Sequence, residues 1–112
     1  MKLLTKQLEK ELEKYPLYSQ ENKGKQAKIL AKFFLQSYTW YVLEFDGEDT
    51  FFGIVINGTE GEYGYFSLNE LKNVRGLWGL GVERDMYFKP TTLEDTTDYY
   101  LKQFISRVSY DN

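Results

Sequence analysis

The stretch "WYVLEFDGEDTFFGIVING", residues 40–58, decides the fold. Two runs of bulky aromatic and branched residues flank a polar turn carrying Asp46, Glu48 and Asp49, and Glu44 points from the run before it. Side chains alternate between faces along an extended strand. Residues 38–46, "YTWYVLEFD", therefore place Tyr41, Leu43 and Phe45 on one face and Trp40, Val42 and Glu44 on the other. In "TFFGIVI", residues 50–56, Phe52, Ile54 and Ile56 oppose Phe51, Gly53 and Val55. Asp46-Gly47 favours a turn that needs positive φ, and Asn57-Gly58 signals a second reversal. The stretch reads as two antiparallel strands joined by a short turn, with a third strand to follow.

Working outward, "AKFFLQ" reads as the preceding strand and "EYGYFSL" as the following one. "SLNE", from Ser67, matches a capping box and opens a short helix over 68–75. Gly76 suits the position just past a helix end. "GLWGLG", residues 76–81, is an apolar loop with three glycines and lacks the charge and order of a phosphate cradle. Its Trp78 is either a lid over the core or an exposed contact residue. "VERDMYFKP" follows as a fifth strand, ended by Pro90. Val82, Arg84, Met86 and Phe88 share one of its faces.

The middle strands are apolar on both faces, whereas an antiparallel sheet usually leaves one face wet. Each face therefore needs a cover. Leu4, Leu8, Leu12 and Tyr15 recur at helical spacing, and Pro16 stops that helix. Leu101, Phe104, Ile105 and Val108 make a second stripe near the C-terminus. The expected architecture is α+β: a four- to five-stranded antiparallel, curled sheet flanked by N- and C-terminal helices. One domain spans 1–112, with the first helical segment at 1–16, the sheet core at 28–90 and a C-terminal helical extension at 93–112. "SQENKGKQ", residues 19–26, reads as a polar loop.

Composition narrows the chemistry. The 112 residues contain neither Cys nor His. Disulfides, thiolate catalysis, Cys-ligated zinc and Ser–His or Cys–His nucleophiles are thereby excluded. An enzyme would have to rely on Asp, Glu, Lys, Tyr or Arg. The net charge of −3 gives no basic footprint for nucleic acid. No apolar run approaches a membrane span, and the charged start does not read as a signal peptide. The expectation is a cytoplasmic protein without cofactor or metal.

Two constellations carry possible chemistry. The acids of the 46–49 turn do not have the alternating spacing of a calcium loop, so a solvated turn is the simplest reading. Glu44 differs, because a carboxylate buried among Tyr, Val, Leu and Phe needs a partner. Arg84 or Arg75 is the expected one, within a cross-strand network of Glu83, Arg84 and Asp85. Trp40, Tyr41, Glu44, Tyr65, Arg75, Glu83, Arg84 and Lys89 are candidates to line a polar pocket with aromatic walls. Trp78 and Asp85 complete the candidate binding residues.

"WYVLEFDGEDTFFGIV", "GYFSLNEL", "VRG" and "VERDMYFKP", in this order, resemble a bacterial family, the domain of unknown function numbered 2958. The resemblance covers about residues 12–92. It implies a setting on plasmids and conjugative elements, beside DNA-handling genes, and no mechanism. The family pattern has proline after the glycine of "VRG", where this chain has Leu77. That pattern mostly ends near "YFKP", which marks the helix from about Asp98 as an extension.

The leading functional expectation is a non-enzymatic interaction module, an accessory protein of a mobile element that binds another protein. It would use the aromatic sheet face or the Trp78 loop. A small ligand-binding domain or carboxylate-dependent enzyme is the alternative, and weak single-stranded nucleic-acid binding is third.

Overall fold

The computed structural model describes residues 2–108. Helix α1 (Lys6–Leu12) leads through a 3-10 turn (Gly24–Gln26) into β1 (Lys28–Ile29) and β2 (Ala31–Leu35). β3 (Tyr38–Phe45), β4 (Thr50–Asn57) and β5 (Glu60–Ser67) follow as a meander. α2 (Leu68–Asn73), a 3-10 turn (Leu77–Gly79), β6 (Glu83–Arg84), β7 (Thr91–Thr92) and α3 (Tyr99–Arg107) complete the order. The main sheet is antiparallel with strand order β5-β4-β3-β2-β6, and β1 pairs separately with β7. The architecture is α+β, as the alternation implies. Residues 1 and 109–112 of the expected domain, the latter ending its C-terminal helical stretch, lie outside the described residues.

The fifth strand is shorter than its sequence suggests. Only Glu83 and Arg84 pair with β2. Asp85 then closes a turn: its side chain accepts from the Tyr87 N–H at 2.9 Å and its carbonyl from the Phe88 N–H at 3.3 Å. An aspartate that satisfies the backbone two residues on competes with the ladder. α1 is also shorter than its apolar stripe. Thr5 Oγ1 caps it by accepting from the Leu8 N–H, and α-helix ends at Leu12, ahead of Pro16.

Both sheet faces are covered. On one, Leu3, Leu4 and Leu12 from the α1 region and Leu68 and Leu71 of α2 pack on Phe33, Val42, Phe45 and Phe51. On the other, Leu101, Phe104 and Ile105 of α3 pack with Tyr41, Leu43, Ile54 and Ile56. Phe33, Val42, Phe51, Ile54 and Leu101 are wholly enclosed.

A β-bulge sets which residues face which helix. Val42 pairs with Gly53, but Glu44 pairs with Phe52, so β3 carries one extra residue, Leu43. An extra residue reverses every later side chain. Strict alternation would put Phe45 beside Tyr41 and Leu43. Instead Phe45 joins the α1–α2 side and stacks on Phe51, with ring centres 4.5 Å apart. Glu44 crosses to the side of Phe52. Gly53 makes the bulge possible, because a Cβ there would lie 1.8 Å from the Tyr41 carbonyl oxygen.

Candidate functional site

The ten candidate residues do not converge on one pocket. Glu44 and Arg84 lie on opposite faces. Glu44 is buried, and its two oxygens accept the backbone N–H groups of Tyr18 and Gln20, each at 2.8 Å. The expected arginine partner is thus replaced by main chain, which satisfies a buried carboxylate without a second charge. Arg84 instead donates to the carbonyls of Lys2 and Leu3 and ties down the N-terminal segment. Arg75 donates to the carbonyls of Lys72 and Val74, closing the end of α2. Glu83 and Lys89 are exposed.

Gln20 was hidden in the polar loop of the sequence. It is buried, takes the Lys28 N–H on its oxygen, and donates to the carbonyls of Lys28 and Leu43. The segment that receives Glu44 is thereby stitched to β1 and to the bulge. Tyr18 adopts φ +73 there. Tyr65 is exposed, packs against Phe52, and is hydrogen-bonded to Tyr18, which pushes its hydroxyl above the usual value.

Tyr41 and Asp85 belong to a polar cluster on the α3 face. The buried Tyr41 hydroxyl donates to Asp98 Oδ2 at 2.7 Å, and Lys32 Nζ lies 2.8 Å from the same oxygen and 4.0 Å from Asp85. Burial first, and then the bond to Asp98, raise the Tyr41 hydroxyl. Partial burial opposes ionisation of Asp98, but the bonds from Lys32 and Tyr41 outweigh it and hold its carboxyl below the usual range. Asp98 precedes α3, a position that in sequence signals only a helix cap. Its side chain latches α3 to β2 and β3 instead.

The acids of the 46–49 turn are structural. Asp46 Oδ1 accepts the N–H groups of Glu48, Asp49 and Thr50. These bonds, led by that from Glu48, keep its carboxyl below the usual range. Asp49 reaches α2: its oxygens accept from Ser67 Oγ and the Asn69 N–H. Ser67 Oγ takes the Glu70 N–H, as the capping box predicts. Among the described residues, no three Asp or Glu side chains gather to hold a metal ion.

Exposed rings and strained backbone coincide at the opposite end of the sheet. The 75–81 loop is closed by a bridge between Arg75 and Gly81 and by a bond from the Gly76 N–H to the Leu80 carbonyl at 2.7 Å. At its tip Trp78 adopts φ +63 and is 94% exposed. Leu77, Leu80 and Val74 around it are also exposed. Gln36, in the two-residue β2–β3 turn, takes φ +53, and its side chain crowds the space beside the Gly76 Cα. Left-handed backbone costs a non-glycine residue about 1–2 kcal/mol, and such strain gathers at functional segments. Beyond the turn, half-exposed Tyr38 stacks on Trp40 at 5.8 Å. Leu77, where the family pattern has proline, begins the 3-10 turn that carries Trp78.

No curated protein and no solved structure matches this chain. A family model described as "Protein of unknown function (DUF2958)" matches residues 3–102. The match runs past the 12–92 stretch of the resemblance, so Asp98 and the first turn of α3 fall within it. Spanning nearly the whole chain, it shows that the protein belongs to the DUF2958 family.

Proposed function

We propose that this protein is a non-enzymatic binding module, an accessory factor of a bacterial mobile element, and that it engages a partner protein through the Trp78 loop. One observation carries the reading: Trp78 is 94% exposed at the tip of a loop fixed by its own backbone bonds. Such a ring, held out by a rigid scaffold and ringed by leucines, has the make-up of an interface hot spot. The ordering entropy of the loop is met before any partner arrives. The mobile-element setting rests on the family resemblance. Against a carboxylate-dependent site at Glu44, both its oxygens are already occupied by backbone N–H groups.

The test is affinity capture from the source cell with the wild-type protein and with Trp78→Ala as bait. Trp78 shields almost no core, so the variant should melt within about 2 °C of wild type, the shift expected of a surface change. A discrete protein captured by wild type and lost with Trp78→Ala is the expected result. Equal recovery by the two baits would sink the proposal.

A further inference from the structure

The antiparallel register places two cross-strand rows side by side at the turn end of the sheet, on the face that α1 and α2 cover only further along. Tyr38, Asn57 and Glu60 form one row, and Trp40, Val55 and Glu62 form the other. All of these but Trp40 line an open cavity of about 520 Å³. Its floor is the Tyr38 ring, backed by the stacked Trp40, with Val55 beside it, and its outer wall is the two exposed glutamates on edge strand β5. The cation at its rim, Arg107, donates to the Thr59 carbonyl at 2.8 Å and is held on the β4–β5 turn. Leu35, next to Tyr38 in the register, touches the space beside Gly76, so the corner adjoins the root of the Trp78 loop.

We infer that this corner receives a basic side chain, an arginine or lysine, from an extended segment of the protein that the Trp78 loop binds. The inference rests on the docking reading above and names the partner's chemistry. Aromatic faces attract a cation through the ring quadrupole, and carboxylates on the same wall supply the counter-charge at short range. A guanidinium meets both demands, because its plane stacks on a ring while its edge bonds a carboxylate. The same two glutamates repel phosphate, which sets the corner against nucleic acid. The half-exposed Tyr38 ring gives the alkyl stem of the basic residue apolar surface to cover.

The probes are capped hexapeptides alternating alanine with arginine, or alanine with glutamate, and an oligothymidine of similar length. Each is titrated into the isotopically labelled full chain and followed by amide chemical shifts. The arginine peptide should move the resonances of Tyr38, Asn57, Glu60 and Glu62, and the other two probes should not. Glu60→Gln and Glu62→Gln should each weaken it about three-fold, and together about ten-fold, as exposed ion pairs do. Rising salt should weaken it further. Trp78→Ala should leave hexapeptide binding intact, which separates this test from the capture experiment. Capture that depends on Trp78, with no response to the arginine peptide, would discard the basic corner and keep the docking loop. Equal binding of the glutamate peptide or the oligothymidine, or indifference to the double Gln variant, would overturn the assignment.

Discussion

Gly53 pairs with Val42 beside the bulged Leu43, and a methyl group there would meet the Tyr41 carbonyl oxygen at 1.8 Å. Backbone cannot yield as a flexible side chain can. Gly53→Ala should therefore destabilise the fold by at least the 1–3 kcal/mol typical of overpacking, measured as a lower urea midpoint. Gly64, its neighbour on β5, has open space at its missing Cβ. Gly64→Ala should shift the midpoint far less, and equal losses at the two positions would contradict the bulge. Glu44 gives a second residue-scale test. Glu44→Gln would aim an amide N–H at one of the two main-chain donors that the carboxylate now satisfies. An unsatisfied buried donor costs about 1–3 kcal/mol. A clear drop in melting temperature is expected, and an unchanged melt would show that Glu44 is not structural.

At the scale of elements, two side-chain links fasten helices to the sheet. Asp49 and Ser67 tie the β3–β4 turn to the start of α2. Ser67→Ala should cost about 1 kcal/mol, a usual figure for a lost cap, checked by chemical denaturation. Asp98 joins α3 to Lys32 and Tyr41. Its carboxyl is held below the usual range in the folded chain. The link therefore contributes fully at neutral pH, and the contribution is lost as pH falls below about 4 through the folded value. Asp98→Asn should lower stability at pH 7 and flatten its decline between about pH 5 and pH 2. A parallel offset of the two profiles at every pH would refute the ionic latch. The Ser67 cap was legible in the sequence, but the reach of Asp49 and of Asp98 was not. Helical spacing marks the buried stripe of α3, whereas the target of the residue before it depends on where β2 and β3 lie.

For the whole molecule, the decisive feature is a sheet greasy on both faces with a helix on each side. Leu101, Phe104 and Ile105 close the α3 face over Tyr41, Ile54 and Ile56. Each buried side chain of this kind contributes about 1.5–3 kcal/mol, against a net stability of about 5–15 kcal/mol for a domain. A chain ending at residue 97 should thus lose cooperative unfolding and bind hydrophobic dye. A sharp, two-state melt in that truncation would show that the sheet stands without α3.

The sequence by itself determined the class of fold. Period-two alternation, Asp-Gly and Asn-Gly turns, the Ser67 cap and two helical stripes are local signals, each written within a few residues. The tertiary structure alone decided the facing of Glu44 and Phe45, because a bulge depends on which residue lies across the ladder. It also decided that Arg75 and Arg84 serve carbonyl groups, that Gln20 stitches the segment holding Glu44, and that Trp78 stands in solvent. Ion pairs, buried amides and exposed rings arise from contacts between segments far apart in the chain. Their physical cause is the packing of the elements, which no short window of residues records.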